Sequence, residues 1–234
     1  MNACILCNRP IENNLSLSFL FSYRKMEKSL LCMKCMNKFE KINPNKVCPG
    51  CFRQQNNNDH CEDCKRWKKQ YPKISLNHTA LFTYNEIARD YMEQYKFQGD
   101  LLLANMFSTP IYQALNKYQK SHLIIPIPLN FLSQQKRGFN QVEILLKQAN
   151  IIYQPLLENI RQEAAQSSKN RLDRLKTPQP FQLINVDELR ESSKNKILLI
   201  DDVYTTGRTI LHARRLLEKT LPTNFEIASF SLFR

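Results

Sequence analysis

The stretch Lys196-Ile197-Leu198-Leu199-Ile200-Asp201-Asp202-Val203-Tyr204-Thr205-Thr206-Gly207-Arg208-Thr209 constrains the fold more than any other part of the chain. Residues 197–200 are an unbroken branched-apolar run, which suits a strand covered on both faces, as in a parallel sheet. Two carboxylates stand where that strand should end. A small-residue loop follows, and then the spacing of Ile210, Leu211, Leu216 and Leu217 predicts an amphipathic helix. In open α/β sheets ligands bind outside the carboxyl ends of the strands, and a loop entering a helix aims peptide N–H groups at an anion. The loop is therefore expected to hold a phosphate, and the acids to hold what hangs from it.

Two common phosphate loops are excluded. A Walker loop needs a Lys after its last Gly and a dinucleotide fingerprint needs three glycines, whereas this loop has one glycine followed by Arg208. A ribose carrying a 5'-phosphate fits better. Thr205, Thr206 and Thr209, with the N–H groups around Gly207 and Arg208, can surround the phosphate, while Asp201 and Asp202 accept from the ribose hydroxyls. The arrangement resembles the phosphoribosyl-pyrophosphate motif of type I phosphoribosyltransferases. The bland alternative is a solvated acidic turn capped by threonines.

The eight cysteines constrain the first quarter. They form four Cys-x-x-Cys pairs, Cys4/Cys7, Cys32/Cys35, Cys48/Cys51 and Cys61/Cys64, and none occurs later. Each pair presents two thiolates to one tetrahedral ion, so four pairs supply two structural Cys4 zinc sites. Closed sites leave no open coordination position and support folding, not catalysis. Pairing in sequence order is expected, with an interleaved cross-brace as the alternative. His60 beside Cys61 is a lesser ligand candidate. A thioredoxin-like redox role would need one such pair beside a βαβ pattern, which this repetition is not. The strand-like stretch at 15–21 lies between the first two pairs.

The formal charge of +13 favours an anionic partner: nucleic acid, a phosphorylated small molecule or acidic lipid. The basic, aromatic run Lys65-Arg66-Trp67-Lys68-Lys69-Gln70-Tyr71-Pro72-Lys73 suits either stacking on single-stranded nucleic acid or a solvated linker with Trp67 packed on the ribbon. The first residues lack the basic and apolar regions of a signal peptide, and no apolar run is long enough to span a bilayer, so a cytoplasmic protein is expected.

From residue 75 the pattern alternates strands with helices, which predicts a mostly parallel, doubly wound α/β sheet. Strands are expected at 78–84, 122–128 and 225–233. Helices are expected after Asn85, over 101–118 and from Val142. Only four glycines occur, so Gly50, Gly99, Gly138 and Gly207 should each mark a special backbone position. The stretch Gln134-Gln135-Lys136-Arg137-Gly138-Phe139-Asn140-Gln141 is expected as a loop after a strand, with Arg137 and Gly138 available to pyrophosphate or nucleic acid. The basic segment containing Lys169, Arg171 and Arg174 is a second such candidate, as a lid or a strip against a phosphate backbone.

These motifs together resemble the ComF family over nearly the full length. The carriers are the four cysteine pairs, Tyr95-Lys96-Phe97-Gln98-Gly99-Asp100, Lys136-Arg137-Gly138-Phe139-Asn140-Gln141, Lys169-Asn170-Arg171 with Arg174, and the Asp201-Asp202 stretch. The resemblance implies a small double zinc-ribbon domain at 1–65, a basic linker at 66–75 and a type I phosphoribosyltransferase-like domain at 76–234. It implies a cytoplasmic competence factor for natural transformation, recruited with the DNA-uptake machinery to the inner face of the membrane. Its partners would be single-stranded DNA and a ComFA-like DEAD-box ATPase. The alternative is an active phosphoribosyltransferase using Mg²⁺ and phosphoribosyl pyrophosphate, with an acceptor no segment identifies.

Overall fold

The structure is a computed structural model, and it describes residues 3–11, 30–98, 101–161, 179–186, 189, 192–222 and 225–234. Its centre is a four-stranded parallel sheet in the order β1-β6-β5-β2, formed by β1 (His78–Phe82), β2 (His122–Pro126), β5 (Lys196–Val203) and β6 (Glu226–Phe233). β5 is an interior strand, paired through Leu198 with Ile124 on one side and Ala228 on the other. A short antiparallel pair, β3 (Leu157–Asn159) with β4 (Phe181–Leu183), forms a separate sheet.

The continuous apolar run in β5 has the expected cause. Leu198 and Ile200 join one core cluster, and Ile197 and Leu199 join another. Successive side chains leave a strand on opposite faces, so both faces of the sheet are packed. The first face is covered by α3 (Glu86–Gln98), α4 (Leu101–Asn105), α5 (Ser108–Leu115) and α7 (Gln141–Gln148), through Tyr91, Leu103, Ile111 and Leu145 among others. The second is covered by α8 (Arg208–Thr220) and the β3–β4 pair, through Ile210, Leu217, Leu157 and Phe181.

The cysteine module is built into this core. Cys4 and Cys35 join the cluster on the first face, while Cys48, Cys51, Cys61 and Cys64 join the cluster on the second. Phe39, four residues beyond Cys35, packs edge-on against Phe107 at 5.1 Å and against Phe82 and Tyr91. The chain at 40–42 pairs antiparallel with the end of β1, with Thr83 N–H donating to the Glu40 carbonyl (2.9 Å) and Ile42 N–H to that of Leu81 (3.0 Å). A short helix, α1 (Met33–Met36), carries Cys35.

Residues 66–70, expected in a linker, belong to α2 (Glu62–Gln70), which starts just after Cys61. Acidic Glu62 and Asp63 lie in its first turn and Lys68 and Lys69 in its last, the charge order the helix dipole favours. Trp67 is buried, and its indole Nε1–H donates to the Thr206 carbonyl at 2.8 Å. Its ring stacks on Tyr71, and the Arg215 guanidinium lies over the Tyr71 ring at 4.3 Å. Trp67 is thus largely buried beneath the polar loop.

The 134–141 stretch also differs from expectation. It is not a loop but the end of α6 (Phe131–Arg137), a tight turn and the start of α7. Asn130 caps α6 by accepting from Ser133 N–H (2.8 Å), and Asn140 caps α7 by accepting from Val142 N–H (3.0 Å). Gly138, at φ 75°, is the left-handed residue that ends α6. Three cap signals in eleven residues therefore divide this part of the chain into two helices, where glycine and charge alone suggest a loop. No helix among the described residues is long and apolar enough to cross a membrane.

Candidate functional site

Asp201 and Asp202 fall at the carboxyl end of β5, as the sequence predicts. By the two-residue period Asp202 shares its side of the strand with Leu198 and Ile200, so it faces α3 and α7. Asp202 is buried at 5% exposure, and both helices supply donors to its Oδ2. Lys96 Nζ lies at 2.8 Å and Gln141 Nε2–H donates at 2.7 Å. Arg137 Nη1–H in turn donates to Gln141 Oε1 at 3.1 Å, and Tyr95 O–H donates to the Gln141 carbonyl at 2.8 Å.

Three motifs distant in sequence thus converge on one carboxylate. Burial by itself would raise the pKa of Asp202, but the Lys96 ammonium and the Gln141 amide hold it below the ordinary carboxylate value. Asp201 moves the other way. Burial first, and then the adjacent Asp202 charge, raise it. Its Oδ1 accepts from Asp202 N–H at 2.9 Å. The pair is therefore asymmetric: one carboxylate is firmly ionised and the other gives up its proton reluctantly. Burial also lowers the pKa of Arg137, with Asp202 opposing.

The 204–209 loop leaves the sheet beside this pair. Thr205, Thr206 and Thr209 are exposed, Gly207 is buried and Arg208 half-buried. Gly207 caps α8 at φ 78°, and a Cβ on it would stand 2.0 Å from the Tyr204 Oη. Glycine is required there twice over, by conformation and by space. Arg208 Nε–H donates to His212 Nε2 at 3.3 Å. Burial, followed by Arg208, Arg215 and Arg161, lowers His212 to about 4. The loop thus offers three outward hydroxyls, a glycine turn and the start of a helix, which is chemistry suited to a phosphate. Lys169, Arg171 and Arg174 lie outside the described residues, as do Gly99 and the 15–21 stretch.

The cysteines form two groups, Cys4/Cys7/Cys32/Cys35 and Cys48/Cys51/Cys61/Cys64, each with its four sulfurs within 4.8 Å of one another. This is the sequence-order pairing. Zinc–sulfur bonds of about 2.3 Å in a tetrahedron put sulfurs roughly 3.8 Å apart. The Cys7–Cys32, Cys48–Cys64 and Cys51–Cys61 separations of 3.7, 3.6 and 3.5 Å fit that size. Each group can hold one zinc ion. Their loops are built alike: Asn8 and Phe52, each following the second Cys of a pair, take left-handed φ of 55° and 58°. Among the described residues His60 joins neither group. Gly50 leaves little space for more, since a Cβ there would lie 3.1 Å from both Cys64 Sγ and His60 Nδ1.

Lys96 and Gln141 were legible as members of motifs but not as partners of Asp202. His78 gave no signal at all. It is buried between the Ser229 and Ser231 hydroxyls, at 2.9 and 3.0 Å, with Tyr204 against its ring at 4.1 Å.

A comparison with protein-family models finds no match. Among curated proteins, the chain is 38% identical over 231 residues to competence protein ComFC of Streptococcus pneumoniae, covering 99% of both chains. It is 31% identical to competence protein ComFC of Bacillus subtilis, over 99% of this chain and 94% of that one. Competence protein F of Haemophilus influenzae is 26% identical over 80% of this chain and 90% of its own. Identity at that level along the whole length, with the zinc-ribbon cysteines and the parallel sheet both in place, means that the chain belongs to the ComFC family.

Proposed function

We propose that the protein is a competence factor for natural transformation whose pocket, at the carboxyl end of β5, binds a phosphoribosyl compound. Single-stranded DNA and a ComFA-like ATPase are its partners in DNA uptake. The competence role is supported by the names of the relatives matched over the full length. The observation that carries the pocket is the convergence on Asp202: Lys96, Gln141 and, through Gln141, Arg137 all address the carboxylate beside a threonine-rich loop. In a plain solvated acidic turn the carboxylates would face water, whereas Asp202 is buried and bonded to two helices.

The same observation favours binding over Mg²⁺-dependent turnover. A lysine ammonium already neutralises the carboxylate that a metal-bound ribose would address. Asp201, which is half-buried beside it, remains for a ribose hydroxyl. The affinity for DNA rests on the +13 charge.

Two measurements test the reading. Mass spectrometry of small molecules released from the purified protein should show a phosphoribosyl compound. Fluorescence anisotropy with an unstructured oligodeoxynucleotide should show affinity falling steeply as salt rises, since each phosphate contacted contributes a log–log slope of about −0.7. Binding that ignores salt, or none at low salt, would remove the DNA half of the proposal.

A further inference from the structure

Past Val203 the chain leaves the sheet, and the carbonyl groups of residues 204–206 need partners outside regular secondary structure. All three are found on the side of the second cysteine group. Arg234 Nη1–H donates to the carbonyls of Tyr204 (3.1 Å) and Thr205 (3.0 Å). From the same guanidinium, Nε–H donates to the Cys51 carbonyl and Nη2–H to Cys51 Sγ, each at 2.9 Å. Trp67, three residues beyond Cys64 on α2, donates to the Thr206 carbonyl at 2.8 Å. The Arg234 guanidinium also lies over the Tyr204 ring at 4.7 Å, and that ring's hydroxyl fills the space a side chain at 207 would need.

This arrangement has a consequence for the loop's other edge. In a trans peptide the C=O of one residue and the N–H of the next point in opposite directions. Carbonyls of 204, 205 and 206 held toward the cysteine group therefore turn the N–H groups of 205, 206 and 207 away from it. Successive N–H groups pointing one way make an anion-binding concavity. The exposed hydroxyls of Thr205 and Thr206 belong to the same residues.

We propose that Arg234 and Trp67 are positioning residues through which the second Cys4 centre holds the 204–209 loop in the shape that receives a 5'-phosphate. The proposal rests on the phosphoribosyl reading of that loop and adds what keeps it formed. The planar fork of arginine meets one sulfur and three carbonyls at once, four acceptors for which a lysine ammonium has only three donors. Among the described residues the first Cys4 group takes no part in this linkage.

The test uses the full chain with zinc bound, as wild type and as Arg234→Gln, Arg234→Lys and Trp67→Phe. Zinc per chain is measured by elemental analysis, and hydrogen exchange is followed by mass spectrometry in peptides covering 204–209. Arg234→Gln should retain both ions yet exchange at least tenfold faster in the loop, and Trp67→Phe should show a smaller increase. Calorimetry with ribose 5-phosphate should show about tenfold weaker binding for Arg234→Gln, with partial recovery in Arg234→Lys. Wild-type exchange and wild-type affinity in both Arg234→Gln and Trp67→Phe would overturn the proposal. If wild-type protein does not bind ribose 5-phosphate, the pocket reading fails by itself, and loop exchange still decides whether these residues position the loop. If Arg234→Gln loses a zinc ion, Trp67→Phe, which leaves the cysteine ligands and Arg234 in place, decides the question.

Discussion

At Gly207 two requirements coincide, a left-handed φ of 78° and a Cβ position already filled by the Tyr204 hydroxyl. Gly207→Ala should therefore cost more than the roughly 1 kcal/mol that the left-handed conformation alone imposes, read by urea denaturation. It should also displace Tyr204, seen as a change in tyrosine fluorescence. His78 gives a pH signature. Burial, aided by the Arg234 charge, pushes its pKa well below the ordinary 6.5. The unfolded chain then takes up a proton near pH 6.5 that the folded chain refuses, so stability present above pH 6.5 is lost as pH falls below it. Asp201, raised by burial and by Asp202, acts in the opposite sense and loses stability as pH rises through its folded pKa. Comparing urea unfolding at pH 7 and pH 5 in wild type and His78→Gln isolates the histidine, and the variant should lose less stability on acidification. Asp202 could be picked out from the sequence because charge ends an apolar strand. His78 could not, because one histidine in a strand carries no sign of the two serines that flank it from β6.

At the scale of elements, local signals succeeded where one force dominated. The run at 197–200 predicts a doubly covered strand, and β5 has Ile197 and Leu199 in one core and Leu198 and Ile200 in the other. The 134–141 stretch misleads because glycine and charge suggest a loop, whereas Asn130, Gly138 and Asn140 are cap residues at 2.8–3.0 Å geometry or left-handed φ. Asn140 also donates to the Ile127 carbonyl (3.2 Å) and to Glu143 (2.9 Å), so it fastens α7 to the end of β2. Asn140→Ala should lower stability by about 1–2 kcal/mol, as for other lost N-caps. Because Gln141 is the next residue, the variant should also weaken any ligand binding at Asp202. The β3–β4 pair was invisible in sequence, since three-residue strands have too little periodicity to register.

For the whole molecule, the cysteine spacing gives the two metal sites but not their place in the architecture. The ribbon cysteines resemble an independent N-terminal module, yet Cys4 and Cys35 of the first group join the core on one face of the sheet and all four cysteines of the second join the core on the other. Such packing has no sequence signature, because it depends on which apolar side chains the ribbons meet after folding. Stripping zinc with a strong chelator should therefore destabilise the sheet as well as the ribbons. Differential scanning calorimetry should show one transition moving down as a unit, and an unchanged main transition would mean that the sheet stands without the ribbons.

The central claim is that the carboxyl end of β5 grips a phosphoribosyl group through Asp202 and the 204–209 loop. Its most direct test is isothermal titration of the zinc-bound protein with phosphoribosyl pyrophosphate, for wild type and Asp202→Asn. The account predicts saturable binding at one site per chain, weakened at least tenfold in Asp202→Asn with both zinc ions retained. No heat of binding to the wild type, or equal affinity in the variant, would contradict it.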